Sequence, residues 1–470
     1  MTEIRLTAAR VAAAMQGTLV AGEGGTVFSG VSIDTRTLKP GELFVAIHGE
    51  RFDGAAFVEQ AIAAGAAGVV VGRVFGAGEP AGLKTRPTSV IAVDDTTLAL
   101  QSLARAIRRE SGTKVVAITG SAGKTTTKEI TSEFLAARYR VIRNRGNLNN
   151  HIGLPLSLIE LTQRPEIAVV ELGMNHAGEI RTLVGVAEPE VRVWTNVGEA
   201  HLGFFASKDA IADAKAEIFE GASAPTVLVA NADDDLIVAR LPRFRGRTVT
   251  FGIDRDADVR AHDVVDRGVE GTRARVSTPR GEITIETPLV GRTNLANILA
   301  ATAVALHFNV PLDAIAERAR TLRPAAHRGE VIKLSSGVTI VDDSYNANPT
   351  ATKRAIEVLV RTPAARRIAV IGEMLELGDH SIGLHEDVGR AAAHAKVDTL
   401  LTVGGAPAEA LADAAVRAGL ARDAVAHFAT SDEAADRAVA VVRPGDLVLV
   451  KGSRGVKTDR VVERLKAERG

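Results

Sequence analysis

A short glycine- and threonine-rich segment has the residue types of a phosphate-binding loop. It lies between an apolar run and a helical pattern in VVAITGSAGKTTTKEI. The candidate loop consists of Gly120, Ser121, Ala122, Gly123, Lys124, Thr125 and Thr126. Glycines let backbone N–H groups point at phosphate oxygens, and the N-terminus of the following helix adds partial positive charge. Lys124 can then reach the β- and γ-phosphates, and the Thr125 hydroxyl can bind Mg²⁺.

The spacing within this loop departs from the usual phosphate-binding motif. The usual pattern, G-x-x-x-x-G-K-[S/T], has four residues between its glycines, whereas two residues separate Gly120 from Gly123. A short G-x-x-G-K-T also occurs by chance as an ordinary glycine turn. The position between a strand and a helix favours phosphate binding. The loop alone does not distinguish a kinase, an ATPase, a GTPase or a ligase.

Two further polar residues follow apolar runs that have the pattern of buried strands. Glu171 follows IAVV, and His201 lies in TNVGEAHLG, just beyond VRVWTNV. Parallel sheets bind their ligands at the carboxyl ends of the strands, and a carboxylate there can hold Mg²⁺ directly or through water. The alternatives are a solvated or helix-capping acid for Glu171 and a structural role for His201. Lys215, in KDAIADAKAEIFEG, has by itself the pattern of a solvated helix lysine.

Asparagine and aspartate residues cluster in two other segments. Asn294 and Asn297 lie at the start of a helical pattern in GRTNLANILAA, where Asn294 would be a good N-cap. The second segment, IVDDSYNANPTA, follows an apolar run and contains Asp342, Asp343, Asn346 and Asn348. Such side chains can bind hydroxyl and amide groups, but they also simply form turns. The residues alone leave both interpretations open.

The elements that would position these residues form three regions. From Lys114, the apolar runs VVAITG, IAVVELG, VRVWTNV and TVLVAN alternate with helical stretches, which is typical of a parallel sheet covered on both faces. Residues 247–290 have shorter, alternating runs that indicate an antiparallel appendage. A second strand–helix alternation begins near Pro324. The first region mixes a helix at Leu6–Gln16 with short strands around Pro40 and Gly41.

We therefore predict an α/β protein of three domains, in keeping with a length of 470 residues. Residues 1–112 form an N-terminal mixed α/β domain. Residues 113–323 form a central, doubly wound parallel-sheet domain that carries the phosphate loop. Residues 324–470 form a C-terminal Rossmann-like α/β domain.

The composition excludes several classes of function. Lys and Arg total 57, equal to Asp and Glu, so no global field attracts nucleic acid or an anionic membrane. The absence of cysteine excludes disulfides, thiolate metal sites and cysteine nucleophiles. No apolar run is long enough to span a membrane, and the N-terminus lacks a signal-peptide core. We expect a monomer in the cytoplasm.

The motifs together resemble the Mur ligases of peptidoglycan synthesis along nearly the whole chain. TGSAGKTT is similar to the shortened phosphate loop of that family, and ELGMNHAGEI, NVGEAHLG and AKAEIF match in type and order. The closer resemblance is to the members that add D-alanyl-D-alanine to UDP-N-acetylmuramoyl-tripeptide. It is carried by ELGMNHAGEI (Glu171–Ile180) together with GNLNNHIGLPLSL (Gly146–Leu158), DDSYNANP (Asp342–Pro349), GEMLELG (Gly372–Gly378), KGSR (Lys451–Arg454) and SIDTRTLKPGELFVAIHGERFDG (Ser32–Gly54).

The resemblance implies an ATP-dependent amide ligase that works through an acyl phosphate. The N-terminal domain would hold the UDP-sugar peptide, the central domain ATP, and the C-terminal domain the incoming amine. Mg²⁺, in two ions, would be organised by Thr125, Glu171, His201 and a carbamylated Lys215. Lys124 would also act in catalysis. Carbamylation needs a neutral amine, which can react with CO₂.

The resemblance also implies binding roles for residues whose chemistry alone was ambiguous. Asn294 and Asn297 would lie near adenine, with Arg328 and Asp343 near the ribose. The residues facing the UDP-linked substrate would be Asp34, Arg36, Asn147, Asn149 and Asn150. Asn346 and Asn348 would help to seat D-alanyl-D-alanine.

The chain departs from the family pattern at two places. Thr293 stands where the family often has a histidine before the adenine asparagine, and GVKTDRVVERL replaces the usual methionine-glutamate ending after KGSR. Both departures weaken individual site assignments more than the family assignment.

Three rival functions follow from the same motifs. Another ligase of the family could add diaminopimelate, lysine or a glutamate, but NANP at 346–349 and the lack of a DNPR-like motif argue against the diaminopimelate type. A nucleotide-binding regulator without turnover is disfavoured because Lys124, Thr125, Glu171 and His201 are all present. A small-molecule kinase does not account for the third α/β region.

Overall fold

The computed structural model describes residues 3–49, 53–73, 88–144, 146–200 and 202–470. The chain divides into two compact units, each assembled from separate stretches. Unit 1 consists of Met1–Ile118, Tyr139–Arg192 and Glu217–Thr226. Unit 2 consists of Thr119–Arg138, Val193–Ala216 and Val227–Gly470.

Strands and helices alternate along most of the described chain. The strands are β1 (Leu6–Thr7), β2 (Thr18–Ala21), β3 (Val27–Phe28), β4 (Val31–Ser32), β5 (Leu43–Val45), β6 (Gly68–Gly72), β7 (Ser89–Val93), β8 (Lys114–Thr119), β9 (Val141–Arg143), β10 (Ile167–Glu171), β11 (Val191–Trp194), β12 (Val227–Asn231), β13 (Arg247–Gly252), β14 (Val259–Asp266), β15 (Thr272–Thr278), β16 (Gly281–Thr287), β17 (Glu330–Lys333), β18 (Thr339–Asp343), β19 (Arg366–Gly372), β20 (Thr399–Val403), β21 (Val425–Phe428) and β22 (Asp446–Lys451). The α-helices are α1 (Ala8–Ala14), α2 (Val58–Ala63), α3 (Thr96–Ser111), α4 (Lys124–Leu135), α5 (Gly153–Ile159), α6 (Glu179–Ala187), α7 (Lys208–Ala216), α8 (Asp235–Val238), α9 (Gly291–His307), α10 (Leu312–Thr321), α11 (Pro349–Arg361), α12 (Ser381–His394), α13 (Ala406–Arg417), α14 (Ser431–Val441) and α15 (Asp459–Arg469).

The N-terminal part of unit 1 contains a five-stranded sheet in the order β2-β7-β6-β5-β4. Strands β4 to β7 are parallel, and β2 pairs antiparallel with β7. The two strands predicted around Pro40 and Gly41 are β4 and β5. Because they pair in parallel, their connection is not a hairpin. The predicted helix at Leu6–Gln16 is shorter, because Leu6 and Thr7 pair with β3 and leave only α1 helical.

Helix α3 lies next in unit 1 and packs on α5 and α6. It begins at the N-cap Asp95, whose carboxylate accepts the N–H groups of Thr97 and Leu98. It ends at Gly112, whose φ of 69° gives the left-handed conformation that glycine adopts without strain. A stripe of buried apolar residues, including Leu100, Leu103 and Ile107, faces its neighbours.

Unit 1 also contains the parallel strands β8, β10 and β9, with β10 in the middle. The register places Glu171 beside Ile118 and Ile167 beside Lys114. Every residue of β10 is buried, as expected for a parallel sheet covered on both faces. This register sets Glu171 at the carboxyl end of its strand, as predicted.

In unit 2, strands β12 and β13 are parallel, and β14, β15 and β16 continue as an antiparallel ribbon. The antiparallel appendage predicted for residues 247–290 therefore begins at β14, because β13 still pairs in parallel with β12. Helix α9 is buried along most of its length and packs along α4 and on β13 and β14. This packing fixes α4, which follows the phosphate loop.

The C-terminal part of unit 2 contains a six-stranded sheet in the order β17-β18-β22-β19-β20-β21. All its pairs are parallel except β17 with β18. Two apolar clusters cover its faces, one containing Ile356, Val388 and Leu411, the other Ala434 and Val461. Each fully buried valine or leucine contributes about 1.5–3 kcal/mol. The predicted doubly wound arrangement is confirmed.

The loop between β14 and β15 packs against the first of these clusters. Val269 is half-buried against it. A Cβ on Gly268 would lie 2.4 Å from Oγ1 of Thr362, so the backbone itself makes this contact. The antiparallel ribbon and the six-stranded sheet therefore share apolar surface within unit 2.

No helix in the described ranges combines the length and apolar character needed to cross a membrane.

Candidate functional site

The candidate phosphate loop connects β8 to α4 through two glycines at positions where a side chain would be strained. Gly120 has a φ of 150°, and a Cβ there would lie 1.9 Å from Oγ1 of Thr195. Gly123 has a φ of 80°, and its Cβ would lie 2.4 Å from Oδ1 of Asn297. Gly123 is the N-cap of α4 and has no side chain to cap it. The loop thus brings the first N–H groups of a helix, which have no intrahelical acceptor, to its surface.

The residues after β11 hold this loop in place. The N–H of Ala122 donates to Oδ1 of Asn196 (2.9 Å), and Nδ2 of Asn196 donates to the carbonyl of Ala122 (2.9 Å). The hydroxyl of Thr195 donates to the same carbonyl (2.8 Å), and the N–H of Ser121 donates to the Asn196 carbonyl (3.0 Å). These four hydrogen bonds hold the loop in one conformation, whereas an ordinary glycine turn would not require them. Sequence reasoning missed Thr195 and Asn196, although both follow a buried strand.

Two lysines belong to the same part of unit 2. Lys124 donates from Nζ to the carbonyl of Gly120 (2.8 Å). Lys215 is 1% exposed on α7, so the solvated alternative for it is wrong. Burial, with the positive charge of Lys124, lowers the pKa of Lys215 well below its ordinary value. This shift favours the neutral form of the Lys215 amine, which is the nucleophilic form.

Asn297 and Asn294 lie on α9 with different surroundings. Asn297 is 3% exposed and accepts the hydroxyl of Thr127 at 3.1 Å, which ties α9 to α4 beside Gly123. Asn294 donates from Nδ2 to the carbonyl of Val290 at 2.9 Å. The capping interpretation of Asn294 is wrong, because α9 begins at Gly291 with Val290 as its N-cap. Thr293, at the departure from the family pattern, contacts Arg354.

In unit 1, Glu171 is 4% exposed at the end of β10, which excludes the solvated alternative. Its Oε1 accepts Nδ2 of Asn149 (2.9 Å), and its backbone N–H donates to Oδ1 of Asn144 (3.0 Å). The N–H of Gly173 donates to the Asn149 carbonyl (2.8 Å). The asparagine-rich segment thus fixes the orientation of Glu171, and Asn144 is a contributor that sequence reasoning missed.

The remaining asparagines of that segment differ in environment. Asn150 accepts the N–H groups of Ile152 and Gly153 at 3.2 and 2.8 Å, so its side chain stabilises the turn that leads into α5. Asn147 is exposed, and its carbonyl accepts the N–H of Asn149 at 2.8 Å. The structure thus brings Asn149, and not Asn147 or Asn150, into direct contact with Glu171.

Glu217 supports the loop that follows Glu171 in unit 1. Its two carboxylate oxygens accept the N–H groups of Gly178 (2.7 Å) and Arg181 (3.1 Å), at the N-terminus of α6. A carboxylate there satisfies orphan N–H groups and interacts favourably with the helix dipole. This residue was also missed, although it stands two positions after Lys215.

Asp34 and Arg36 form an exposed pair in unit 1. The guanidinium of Arg36 donates from Nε and Nη2 to the carboxylate of Asp34, at 2.9 and 2.6 Å. The side-chain hydrogen bond from Arg36 lowers the pKa of Asp34 to about 2. The pair is fixed in an ionised, bidentate geometry.

Lys451 and a helix cap hold the polar segment that begins at the end of β18. Nζ of Lys451 donates to Oδ2 of Asp343 (2.6 Å) and to the carbonyl of Asn346 (3.0 Å). Asn348 caps α11 by accepting the N–H of Ala351 at 2.9 Å. The guanidinium carbon of Arg328 lies 4.1 Å from the ring centroid of Tyr345. Asp343, Asn346 and Arg328 are thus held close to the carboxyl end of the six-stranded sheet.

Glu199 connects helix α7 to the start of helix α11 within unit 2. It pairs with Nζ of Lys208, and the hydroxyl of Thr350 donates to its Oε2 at 2.5 Å. Burial alone would raise the pKa of Glu199, but the hydrogen bonds from Lys208 and Thr350 outweigh it and lower that pKa. Glu199 was not singled out from the sequence, because its partners lie far along the chain.

The predicted metal ligands come from several segments of the chain. His201 lies outside the described residues. Within the described ranges, no group of three or more His, Asp and Glu side chains could hold a metal ion. The side chains of Glu171 in unit 1 and Thr125 in unit 2 each carry an oxygen of the type that Mg²⁺ prefers, and the amine of Lys215 would become an oxygen donor after carbamylation. The donor chemistry therefore fits Mg²⁺.

Comparisons with known proteins cover nearly the whole chain. A family model described as Mur ligase middle domain matches residues 118–305. The models described as Mur ligase, glutamate ligase domain, and Mur ligase family, catalytic domain, match residues 327–454 and 27–108.

Three relatives show how far the similarity extends. The UDP-N-acetylmuramoyl-tripeptide–D-alanyl-D-alanine ligase of Bacillus subtilis is 37% identical over 98% of this chain and 98% of its own. The crystal structure of MurF from Acinetobacter baumannii matches with a TM-score of 0.89 and 31% identity, over 99% of this chain and 100% of that one. MurF ligase from Thermotoga maritima in complex with ADP matches with a TM-score of 0.81 and 30% identity, over 93% and 97% of the two chains.

Proposed function

Because this chain belongs to the Mur ligase family, we propose that it is an ATP-dependent ligase that joins D-alanyl-D-alanine to UDP-N-acetylmuramoyl-tripeptide. One observation carries the proposal: the Bacillus subtilis ligase with this activity in its name is 37% identical along 98% of both chains. The product is the UDP-linked pentapeptide precursor of peptidoglycan. The braced phosphate loop and the buried Glu171 support the same chemistry.

The reaction needs activation because a carboxylate is a poor electrophile. An oxygen of the tripeptide carboxylate attacks the γ-phosphorus of ATP, the bond to the β-phosphate oxygen breaks, and ADP leaves. The amine of D-alanyl-D-alanine then attacks the carbonyl carbon of the acyl phosphate. The tetrahedral intermediate expels phosphate, and the nitrogen loses a proton to solvent. Positioning and charge stabilisation do most of this work.

The phosphate loop is the proposed site for the ATP phosphates. Gly120, Ser121, Ala122, Gly123, Lys124, Thr125 and Thr126 surround the N-terminus of α4, where an anion is stabilised by N–H groups and by the helix dipole. Lys124 would turn from the Gly120 carbonyl to the γ-phosphate. Asn294 and Asn297 are proposed near adenine, and Arg328 and Asp343 near the ribose.

The proposed metal ligands are Thr125, Glu171, His201 and a carbamylated Lys215, for two Mg²⁺ ions. Mg²⁺ would supply positive charge to the phosphate oxygens. The chain contributes a carboxylate held by Asn149 and an amine whose pKa is lowered by burial and by the charge of Lys124. A neutral amine is the form that reacts with CO₂, which supports the proposed modification of Lys215.

The substrate residues are assigned to three domains, at 1–112, 113–323 and 324–470. Asp34 and Arg36 would face the UDP end, and Asn147, Asn149 and Asn150 the tripeptide. Asn346 and Asn348 would seat D-alanyl-D-alanine, supported by their place beside Lys451 and at the N-terminus of α11. We expect a monomer that works in the cytoplasm, where ATP is made.

Mass spectrometry of the reaction products tests the proposal. The protein is incubated with ATP, Mg²⁺, D-alanyl-D-alanine and UDP-tripeptide carrying either lysine or diaminopimelate. The expected product has the mass of a UDP-pentapeptide and forms with one phosphate per molecule. Parallel reactions with free lysine, diaminopimelate or glutamate as the amine serve as controls. Product from one of these amines, and none from D-alanyl-D-alanine, would refute the assignment.

A further inference from the structure

The short segment that follows β11 contacts three different parts of unit 2. Asn196 braces the phosphate loop through the two hydrogen bonds to Ala122. Three residues later, Glu199 contacts the start of α11. After position 201, Gly203 contacts the loop after β19. Asn196, which holds the phosphate loop, is therefore only a few residues from Glu199 and Gly203, which contact α11 and the loop after β19.

Both oxygens of the buried Glu199 carboxylate have partners, one on α7 and one on α11. Oε1 pairs with Lys208 on α7, and Oε2 accepts the hydroxyl of Thr350 at 2.5 Å. Thr350 is the second residue of α11, and the N-cap of that helix is Asn348. With both oxygens used, the carboxylate can hold the first turn of α11 in one position relative to α7.

The contact of Gly203 is made by backbone alone. Its N–H donates to the carbonyl of Glu376 at 2.9 Å. A Cβ on Gly203 would lie 2.9 Å from the nitrogen of Gly378, closer than side chains normally approach backbone. The two segments can approach this closely because both positions are glycine, and this second contact ties the segment after β11 to the loop after β19.

We propose that Glu199 is a positioning residue that, through Thr350, holds the amine-binding start of α11 in register with the phosphate loop. This inference rests on the proposed function, because it takes Asn346 and Asn348 to seat the incoming amine. In this role Glu199 acts through Thr350 and not on the reacting atoms. Its effect falls on the second chemical step, since phosphoryl transfer needs the phosphate loop but amide formation also needs α11.

Loss of this contact has a specific chemical consequence. An acyl phosphate has two fates: attack by the amine nitrogen gives the amide and phosphate, and attack by water returns the carboxylate and phosphate. If α11 moves, amine attack slows while phosphoryl transfer continues. Phosphate release then exceeds amide formation, and the KM for D-alanyl-D-alanine rises more than the KM for UDP-tripeptide.

The experiment compares phosphate released with pentapeptide formed in wild type and Thr350→Val. Valine keeps the shape of threonine and removes only the donor to Glu199. The amide-forming rate is expected to fall on the order of tenfold, the usual effect of losing a hydrogen bond to a charged group. The phosphate-to-amide ratio rises severalfold. Thr350→Ser keeps the hydroxyl and is therefore expected to have the same phosphate-to-amide ratio as wild type.

Further variants separate positioning from damage to the fold. Glu199→Gln weakens the contact with Thr350, and Gly203→Ala disturbs the neighbouring contact with the loop after β19. Both variants are expected to raise the ratio as well. Thr321→Val is the matched control, because the Thr321 hydroxyl bonds within its own helix to Arg318. It should leave the ratio unchanged. The melting temperature of each variant is measured alongside.

The outcomes of this experiment are distinct. If wild type forms no amide with D-alanyl-D-alanine, the proposed function fails. If wild type forms the amide and both Thr350→Val and Glu199→Gln keep a ratio near one, the positioning role is refuted. The same holds if phosphate release and amide formation fall together by the same factor in these variants.

Discussion

Asn196 provides a quantitative test of how the phosphate loop is preorganised. Its side chain makes two hydrogen bonds to Ala122, one as acceptor and one as donor, both at 2.9 Å. Asn196→Ala removes both and leaves the backbone bond from the N–H of Ser121 to the Asn196 carbonyl. The loop should then sample conformations in which its N–H groups no longer converge on one point.

The expected magnitude follows from these two bonds. A neutral intramolecular hydrogen bond contributes about 1 kcal/mol net, so the loss is about 2 kcal/mol. If the loop must recover its conformation to bind phosphate, this cost appears in the affinity for ATP. With 1.4 kcal/mol for each factor of ten, the dissociation constant should rise about 30-fold. The bond that remains from Ser121 makes this an upper estimate.

Titration calorimetry with a non-hydrolysable ATP analogue measures this change directly. Asn309→Gly is a suitable control, because it also removes an asparagine side chain, at a φ of 59° that glycine adopts freely. The control should bind the analogue as wild type does. A dissociation constant for Asn196→Ala within twofold of wild type, with an unchanged melting temperature, would refute the bracing role.

Three further predictions concern other residues. Lys124→Ala should abolish phosphate release that depends on both UDP-tripeptide and D-alanyl-D-alanine; activity retained in a phosphate-release assay would overturn the phosphate-loop assignment. Gly123→Ala should lower kcat/KM for ATP at least tenfold, because a Cβ would lie 2.4 Å from Oδ1 of Asn297 at a φ of 80°; steady-state kinetics at varied ATP decide this. Burial lowers the pKa of His385 below 6.5, and its Nε2 accepts the Met374 N–H at 2.9 Å. The unfolded chain therefore binds the proton more readily, so stability present above pH 6.5 should be lost as the pH falls below it. Urea unfolding at pH 7.5 and 5.5 measures this loss of stability. An equal loss in His385→Gln would show that it does not come from His385.

The fold and its family could be predicted from the sequence because their signals are local. Strand–helix alternation predicted the doubly wound sheets, and the strand–loop–helix context predicted the phosphate loop. Glu171 was found because it directly follows a buried apolar run, and the register of β10 confirms its place at the strand end. The comparisons confirm the fold class, the family and the ligase function.

The parts that could not be predicted depend on partners distant in the chain. Asn196 and Glu199 look like ordinary loop residues until Ala122 and Thr350 are seen beside them. The burial of Lys215 was hidden because charged residues interrupt its helix. The capping alternative for Asn294 was wrong because a good capping residue inside a helix looks the same in sequence as one at its start.

The contact of Val269 with the apolar cluster of the six-stranded sheet has a practical consequence for protein dissection. A fragment that begins at residue 324 would lack this side chain and would open the surface beneath it to water. Such a fragment should aggregate more readily and melt at a lower temperature than one covered by the β14–β15 ribbon. Because that ribbon belongs to an earlier stretch of the chain, cutting at the sequence boundary would separate residues that fold as neighbours.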